Sequence, residues 1–355
     1  MKLLAAISHH GLGHLAQAAP VLNTLRNLHP ALELTLWSGL HSDALHARIE
    51  GHFEHRHEAA DIGLVMHDAM RVDLRASHSA YQGFHADWPT RVKHEADWLQ
   101  AQGFDQVFAD AAYLPLAAAA QAGIDGVALC SLNWTDITRS YLTGLPGMDA
   151  IFNDMAVAYD AARVFLQPAP SMPMPQLARR LGIAPISALG RKRRQALIDR
   201  FALPVTQKLA LLGFGGIGYQ GNSALPAMNN VTWLAPDDWQ FGRVDVIPFS
   251  ALAMPFLDML ASSDVLITKV GYGSFVEAAA HQVPVLYLDR PDWPETPYLT
   301  RWLAEHGSAS ALNEQSLFSA QLEKTLTELW QKPIKPAVRA EGAEQAARQL
   351  MARGT

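Results

Sequence analysis

Two consecutive α/β domains, each a parallel sheet alternating with helices, are predicted for this chain by three observations. Short apolar runs of strand length alternate with helical patterns through residues 1–165, and the same alternation restarts near residue 205. Between them the periodicity lapses in a proline-rich stretch, "QPAPSMPMPQ", at residues 167–176. The length of 355 residues also exceeds what one hydrophobic core usually spans.

The elements follow in chain order. "KLLAAIS" is apolar throughout, as a strand covered on both faces must be, and "LAQAAPVLNTLRNLHP" continues as a helix. "LELTLWSG" reads as a strand, "SDALHARIEG" and "RVKHEADWLQAQGF" as helices, "QVFAD" as a strand, "LPLAAAAQAG" as a helix and "GVALCSL" as a strand. Strands separated by helices are βαβ units, so these strands pair in parallel. "DAIFNDMAVAYDAARVFLQ" reads as one helix closing the first domain at residue 165, and residues 166–204 read as a linker region. Within that linker Arg191, Lys192, Arg193 and Arg194 form a basic run suited to a solvated helix start. The second domain, 205–335, has the strands "KLALLGFGG", "NVTWLA", "VDVIPF", "DVLITK" and "VPVLYLDRP". Its helices are "PFLDMLASS", "FVEAAAHQ", "PYLTRWLAEHG" and "SLFSAQLEKTLTELWQ", and a last helix occupies 336–355.

Bulk composition narrows the function classes. The chain is 49% apolar and 17% charged, ordinary for a globular protein and far from disorder. A formal charge of −6 and a pI near 6.2 give no basic field, so nucleic acid is not an expected partner. Cys130 is the only cysteine, which excludes a disulfide framework, a zinc ribbon or an iron–sulfur cluster held by this chain alone and fits a reducing cytoplasm. The opening "MKLLAAISHHG" is too short for a secretory signal, and no apolar run approaches the roughly 18 residues of a spanning helix. A soluble, cytoplasmic protein is expected, with oligomeric state and peripheral membrane contact left open.

Three glycine turns carry the chemistry. In "SHHGLGHLAQ", Gly11 and Gly13 turn a strand into a helix, and the unpaired N–H groups of that helix start favour an anion or a polar oxygen. His10 and His14 are four residues apart, but the glycines set His10 in the turn and no HExxH pattern accompanies them, so no metal is expected. Gly213, Gly215 and Gly218 fit G-x-G-x-x-G, yet "YQGNSALPAMNN" does not open the helix that a dinucleotide fingerprint needs. The third turn, "KVGYGSFVE", ends a buried strand at Lys269 and offers Gly271, Tyr272, Gly273 and Ser274, with Ser274 read as the N-cap, to a diphosphate. Glu277, one turn further on, suits the paired hydroxyls of a ribose or the helix dipole.

At these motifs the sequence resembles known families. Asp264 to Gly307 is similar to the nucleotide-sugar-binding half of GT-B glycosyltransferases, among them the lipid-II-forming N-acetylglucosaminyltransferase. "HHGLGHLAQ" and "DQVFADAAYLPLAAAAQAGIDGVALCSLNWTDI" resemble the glycosyltransferase-like domain fused to sugar kinases such as L-arabinokinase. The resemblance implies two Rossmann-like domains facing across a cleft, donor on the second and acceptor on the first, with the last helix crossing back to the first. It implies Gly271 to Ser274 at the diphosphate, Glu277 at the ribose, Pro248 and Phe249 beside the base, and Gly215 and Gly216 over the phosphates. It further implies His14 as base, oriented by Asp110, with His10, Gly11, Gly13, Asn133 and Trp134 on the acceptor side.

Two departures stand out: Gln17 replaces the arginine usual in the kinase-fused family, and the acidic-polar pair that touches the donor sugar has only Asp292, Glu295 and Thr296 near its place. The function expected is metal-independent, inverting transfer from a nucleotide diphosphate sugar, UDP-linked, to an unknown acceptor, with no cofactor. A noncatalytic nucleotide-sugar-binding protein or partner subunit, and an epimerase or hydrolase on the same fold, are the alternatives.

Overall fold

The computed structural model describes residues 1–215, 225–239 and 243–352. The chain divides into two compact units: Met1–His67, Arg71–Ile186 and Ala340–Thr355 form the first, Asp68–Met70 and Ser187–Arg339 the second.

The first unit is built on seven parallel strands: β1 (Lys2–Ile7), β2 (Glu33–Ser38), β3 (Glu54–His57), β4 (Gln106–Asp110), β5 (Asp125–Leu129), β6 (Val164–Pro168) and β7 (Arg180–Ile183). Their order, β3-β2-β1-β4-β5-β6-β7, reverses direction between β1 and β4, which pair with Ile7 opposite Asp110. In open parallel sheets, ligands bind outside the carboxyl ends of the strands at such a reversal, because the loops there diverge and leave a crevice. The helix Gly13–Leu28 follows β1 and shares one apolar core with the last helix, Gly342–Met351, through Leu15, Leu22, Ala346 and Leu350.

The second unit holds β8 (Lys208–Gly213), β9 (Val231–Ala235), β10 (Val246–Pro248), β11 (Val265–Lys269), β12 (Val285–Leu288) and β13 (Ala309–Leu312), in the order β10-β9-β8-β11-β12-β13. On β8, Leu209 and Leu211 enter one core cluster while Ala210 and Leu212 enter the other. Burial on both faces is why the strand reads as a continuous apolar run. This sheet reverses between β8 and β11, so the strand preceding the "VGYGS" turn borders the reversal.

Several elements differ from the sequence reading. The expected helix over 149–167 stops: the structure has a helix at Met148–Asp160 and then β6, whose Phe165 and Leu166 are buried. A short apolar run has no period that separates strand from helix, and only its pairing with β5 decides. The expected linker 166–204 holds the end of β6, all of β7 and the helix Arg194–Arg200. β7 is an edge strand with three of its four residues exposed, so it lacks an apolar signature. β3, "EHRH", at the opposite edge has two exposed and two half-buried residues, all of them polar. In the basic run, Arg193 pairs with Asp258 at 2.8 Å and Arg194 with Asp264 at 2.6 Å. Among the described residues no helix is long and apolar enough to cross a membrane.

Candidate active site

In the first unit the turn after β1 and the end of β4 lie side by side, since β1 and β4 are neighbours. Gly11, at φ +82°, takes the left-handed conformation that closes the turn, its N–H donating to His9 O at 2.7 Å. The helix then starts at Gly13 and carries His14 in its first turn, buried to 5% exposure. Asp110 is the last residue of β4 and fully buried. His14 Nδ1 lies 2.8 Å from Asp110 Oδ1. With Asp110 ionised, Nδ1–H donates to it, which places the neutral ring's lone pair on Nε2. Burial pushes the Asp110 carboxyl above its ordinary value, opposed by the hydrogen bonds from His14 and Cys130 and reinforced by the charge of Asp61. The next residue, Ala111, sits at φ +57°, a strained conformation of the kind that collects at functional sites.

His10, half-buried, accepts the N–H of Leu64 at Nδ1 over 3.4 Å. An acceptor at Nδ1 places the proton of a neutral imidazole on Nε2. Trp134 lies against both imidazoles, with ring centroids 5.0 Å from His10 and 5.6 Å from His14. Trp134 is fully buried and its indole N–H donates to Asp61 Oδ2 at 2.8 Å, so its ring supports the histidines and presents no surface to an acceptor. Asn133 is the N-cap of the helix Trp134–Leu142, its side-chain oxygen accepting Asp136 N–H at 2.8 Å. Gln17 accepts Ser131 N–H at 3.0 Å and reaches Ser131 Oγ at 3.4 Å, tying the first helix to the loop after β5. Gly13 is exposed at the helix start.

His14, Asp110 and Cys130 each bring a donor atom to within 4.8 Å of the others, a buried N/O/S set of the type that could hold zinc. It differs from the His10–His14 pair considered in the sequence, because His10 Nδ1 is engaged by Leu64.

In the second unit the helix after β11 begins at Tyr272, with Gly271 at the cap position and no side-chain cap. Ser274 is thus inside the first turn and is not the N-cap expected from the sequence; its hydroxyl accepts from Thr268 Oγ1 at 3.3 Å. The extended Gly271, at φ −174°, takes up the cap position that Ser274 was expected to fill. Tyr272 is buried in the core. Glu277 is buried at 2% exposure on the same helix, and Pro248 is exposed with Phe249 half-buried at the end of β10. Glu295, buried at 3%, accepts from Trp293 Nε1 at 3.4 Å. Gly215 closes the described part of the loop after β8; Gly216 and Gly218 lie outside the described residues.

Three residues are present here that sequence reasoning passed over as site residues. Lys269, at the end of β11, is pushed down to about 8 by burial and by the positive charge of Arg290, with Glu295 acting the other way. Its Cε comes to 4.0 Å of where a Cβ on Gly215 would be, so it stands between the two glycine turns of this unit. Arg290 is itself 3% exposed and lies over Trp293 at 4.2 Å. The position of Lys269 before "VGYGS" is a signal that could have marked it; Arg290 and Asp61 carry no such signal, because each sits in an irregular stretch.

No protein-family model matches the chain. L-arabinokinase of Arabidopsis thaliana is 25% identical over 312 residues, 84% of this chain and 29% of that protein, so the chain spans less than a third of the relative's length. CalG4, the calicheamicin glycosyltransferase, is similar in structure with a TM-score of 0.63 at 14% identity, covering 98% of this chain and 97% of that one. A UDP-N-acetylglucosamine 2-epimerase is similar with a TM-score of 0.56 at 13% identity, covering 99% and 96%. These likenesses establish the fold as GT-B, an architecture that transferases and epimerases share.

Proposed function

We propose that this GT-B chain is a glycosyltransferase that moves a sugar from a UDP-linked donor to a hydroxyl acceptor with inversion and without a divalent metal. The observation that carries the reading is the buried His14–Asp110 hydrogen bond of 2.8 Å at the reversal point of the first sheet. Asp110 holds the imidazole by Nδ1, and Nε2 takes the acceptor's proton as its oxygen bonds to the anomeric carbon. The bond from that carbon to the donor phosphate breaks, and the nucleoside diphosphate leaves with the electron pair. His10 orients the hydroxyl as a donor, and the backbone at Gly11 and Gly13 lines the acceptor side.

On the second unit, the N–H groups at Gly271 to Ser274 and the Lys269 ammonium take up the growing negative charge on the diphosphate. This charge supply makes a metal ion unnecessary and agrees with the lack of any D-x-D in the sequence. Glu277 accepts from the ribose hydroxyls, Pro248 and Phe249 flank the base, Gly215 and Gly216 cover the phosphates, and Glu295 reaches the donor sugar. The cytoplasm is the compartment consistent with a single free thiol.

The test is calorimetry and product analysis with a panel of nucleotide sugars and acceptors. Wild type binds UDP and its sugars; His14→Ala keeps binding and loses transfer; Glu277→Ala loses both. Undiminished transfer by His14→Ala overturns the assignment. A second reading, epimerisation of the donor, is favoured by the epimerase of the same fold. It is recognised by conversion of UDP-N-acetylglucosamine to its epimer with no acceptor present.

A further inference from the structure

The basic run singled out in the sequence is fastened to the second unit through its backbone. Gly190 N–H donates to His281 Nε2 at 2.8 Å, Arg191 N–H to Asp258 Oδ1 at 2.7 Å and Arg193 N–H to Ser262 Oγ at 2.7 Å. A Cβ on Gly190 would lie 2.1 Å from Leu257 O, so only glycine lets the segment lie this close to the helix Phe256–Ser262. The segment follows directly on the passage of the chain from the first unit to the second after Ile186. The return, which ends at Arg339, is held at the end of the same helix as Gly190. Gln282, at φ +60°, donates from its side-chain amide to Lys335 O at 3.0 Å, and Val338 N–H donates to Ala279 O at 3.4 Å. That helix is Tyr272–Ala280, which begins at the "VGYGS" turn and closes with His281 at its C-cap.

The half-buried His281 is set between two main-chain groups whose roles cannot be exchanged. Its Nδ1 lies 2.7 Å from Glu277 O, a carbonyl that only accepts, so Nδ1 carries the proton. Its Nε2 takes the N–H of Gly190, which only donates, so Nε2 holds a lone pair. The neutral ring alone satisfies both. A second proton on Nε2 would face the Gly190 N–H, donor against donor, and that bond would be lost. We infer that His281 is a pH-sensitive pin: neutral, it fastens the entering segment to the end of the helix Tyr272–Ala280, and protonated, it lets the segment go. The titratable and charged groups on the elements packed around it are Glu277 on its own helix, Asp258 with its partner Arg193, Arg191 beside Gly190, Glu305 and His306 at the end of the helix Thr296–His306, and Lys335 in the return. The bonds at Arg191 and Arg193 end on a carboxylate and a hydroxyl, so the pin is the one fastening of the three that uses an imidazole. The pin itself needs no ligand; that it bears on donor binding rests on the reading of Gly271 to Glu277 as the nucleotide site.

The test is amide hydrogen exchange in the full chain, read by NMR at about pH 8 and about pH 5, the range over which imidazoles change charge, and corrected for intrinsic rates. Protection of Gly190 is expected to fall roughly tenfold at the lower pH, while Arg191 and Arg193 keep theirs. Constant protection at Gly190, or an equal fall at all three amides, overturns the inference. His281→Gln brings an amide oxygen, which does not titrate, within reach of Gly190 and is expected to abolish the pH dependence. A dependence that persists in this variant also overturns the pin, and wild type alone decides if the variant does not fold. Calorimetry with UDP at the same two pH values reads the link to the donor. Comparison with His281→Gln cancels the titration of UDP itself, and wild type is expected to lose about fivefold more affinity than the variant on acidification. Equal losses overturn that link. A wild-type chain that binds no UDP at either pH counts against the nucleotide reading and leaves the exchange result to decide the pin.

Discussion

His14 shows how much a single neighbour can decide. A histidine near a glycine turn is unremarkable until a buried carboxylate takes Nδ1 at 2.8 Å and fixes the ring. Replacing Asp110 with Asn leaves the shape and reverses the hydrogen-bond preference, so kcat for transfer should fall roughly 10²–10⁴-fold with little change in donor KM. Steady-state kinetics on the variant checks this. Lys269 yields a prediction with a definite sign. Its ammonium, lowered to about 8 by burial and Arg290, is charged below that pH and neutral above it. Affinity for UDP should therefore weaken as pH rises through about 8. Lys269→Arg, which stays charged, should flatten that dependence in calorimetric titrations at a series of pH values.

At the scale of elements, helix ends place the site and give it stability. Asn133 caps the helix that carries Trp134, so Asn133→Ala should cost about 0.5–2 kcal/mol in denaturant unfolding. A residue that only touched the acceptor would instead leave stability alone and raise acceptor KM. The last helix is a structural part of the first unit. At its first residue, Gly342, a Cβ would lie 2.0 Å from Ala184 O, while Gly342 N–H donates to Pro185 O at 3.0 Å. Gly342→Ala therefore forces the helix away from the backbone just after β7, and overpacking of this kind costs roughly 1–3 kcal/mol. Chemical denaturation followed on the first unit measures it. The edge strands β3 and β7 belong to this scale too: β3 is polar throughout and three of the four residues of β7 are exposed, so neither shows the continuous apolar run of a strand covered on both faces.

For the whole molecule, the two-unit division carries a thermodynamic consequence. A donor nucleotide held by the second unit stabilises that unit in proportion to RT ln(1 + [L]/Kd), about 2.7 kcal/mol at one hundred times Kd. UDP should thus raise the unfolding transition of the second unit, and a thermal-shift series against UDP concentration that shows no rise would remove the donor assignment. The alternation of apolar runs and helical patterns determined by itself that the chain forms two successive parallel α/β sheets, because strands covered on both faces must be apolar throughout. It also marked the glycine turns after β1 and β11, and Gly11, at φ +82°, takes a conformation that favours glycine wherever the pairing falls. What only the tertiary structure decided was pairing and charge. β6 and β7 joined the first sheet through neighbours distant in sequence, Trp134 became a buried support, and Asp61, Lys269 and Arg290 acquired meaning from what surrounds them. Burial and the electrostatic effect of a neighbour depend on distances in space, and a linear sequence holds no such distances until the chain has folded.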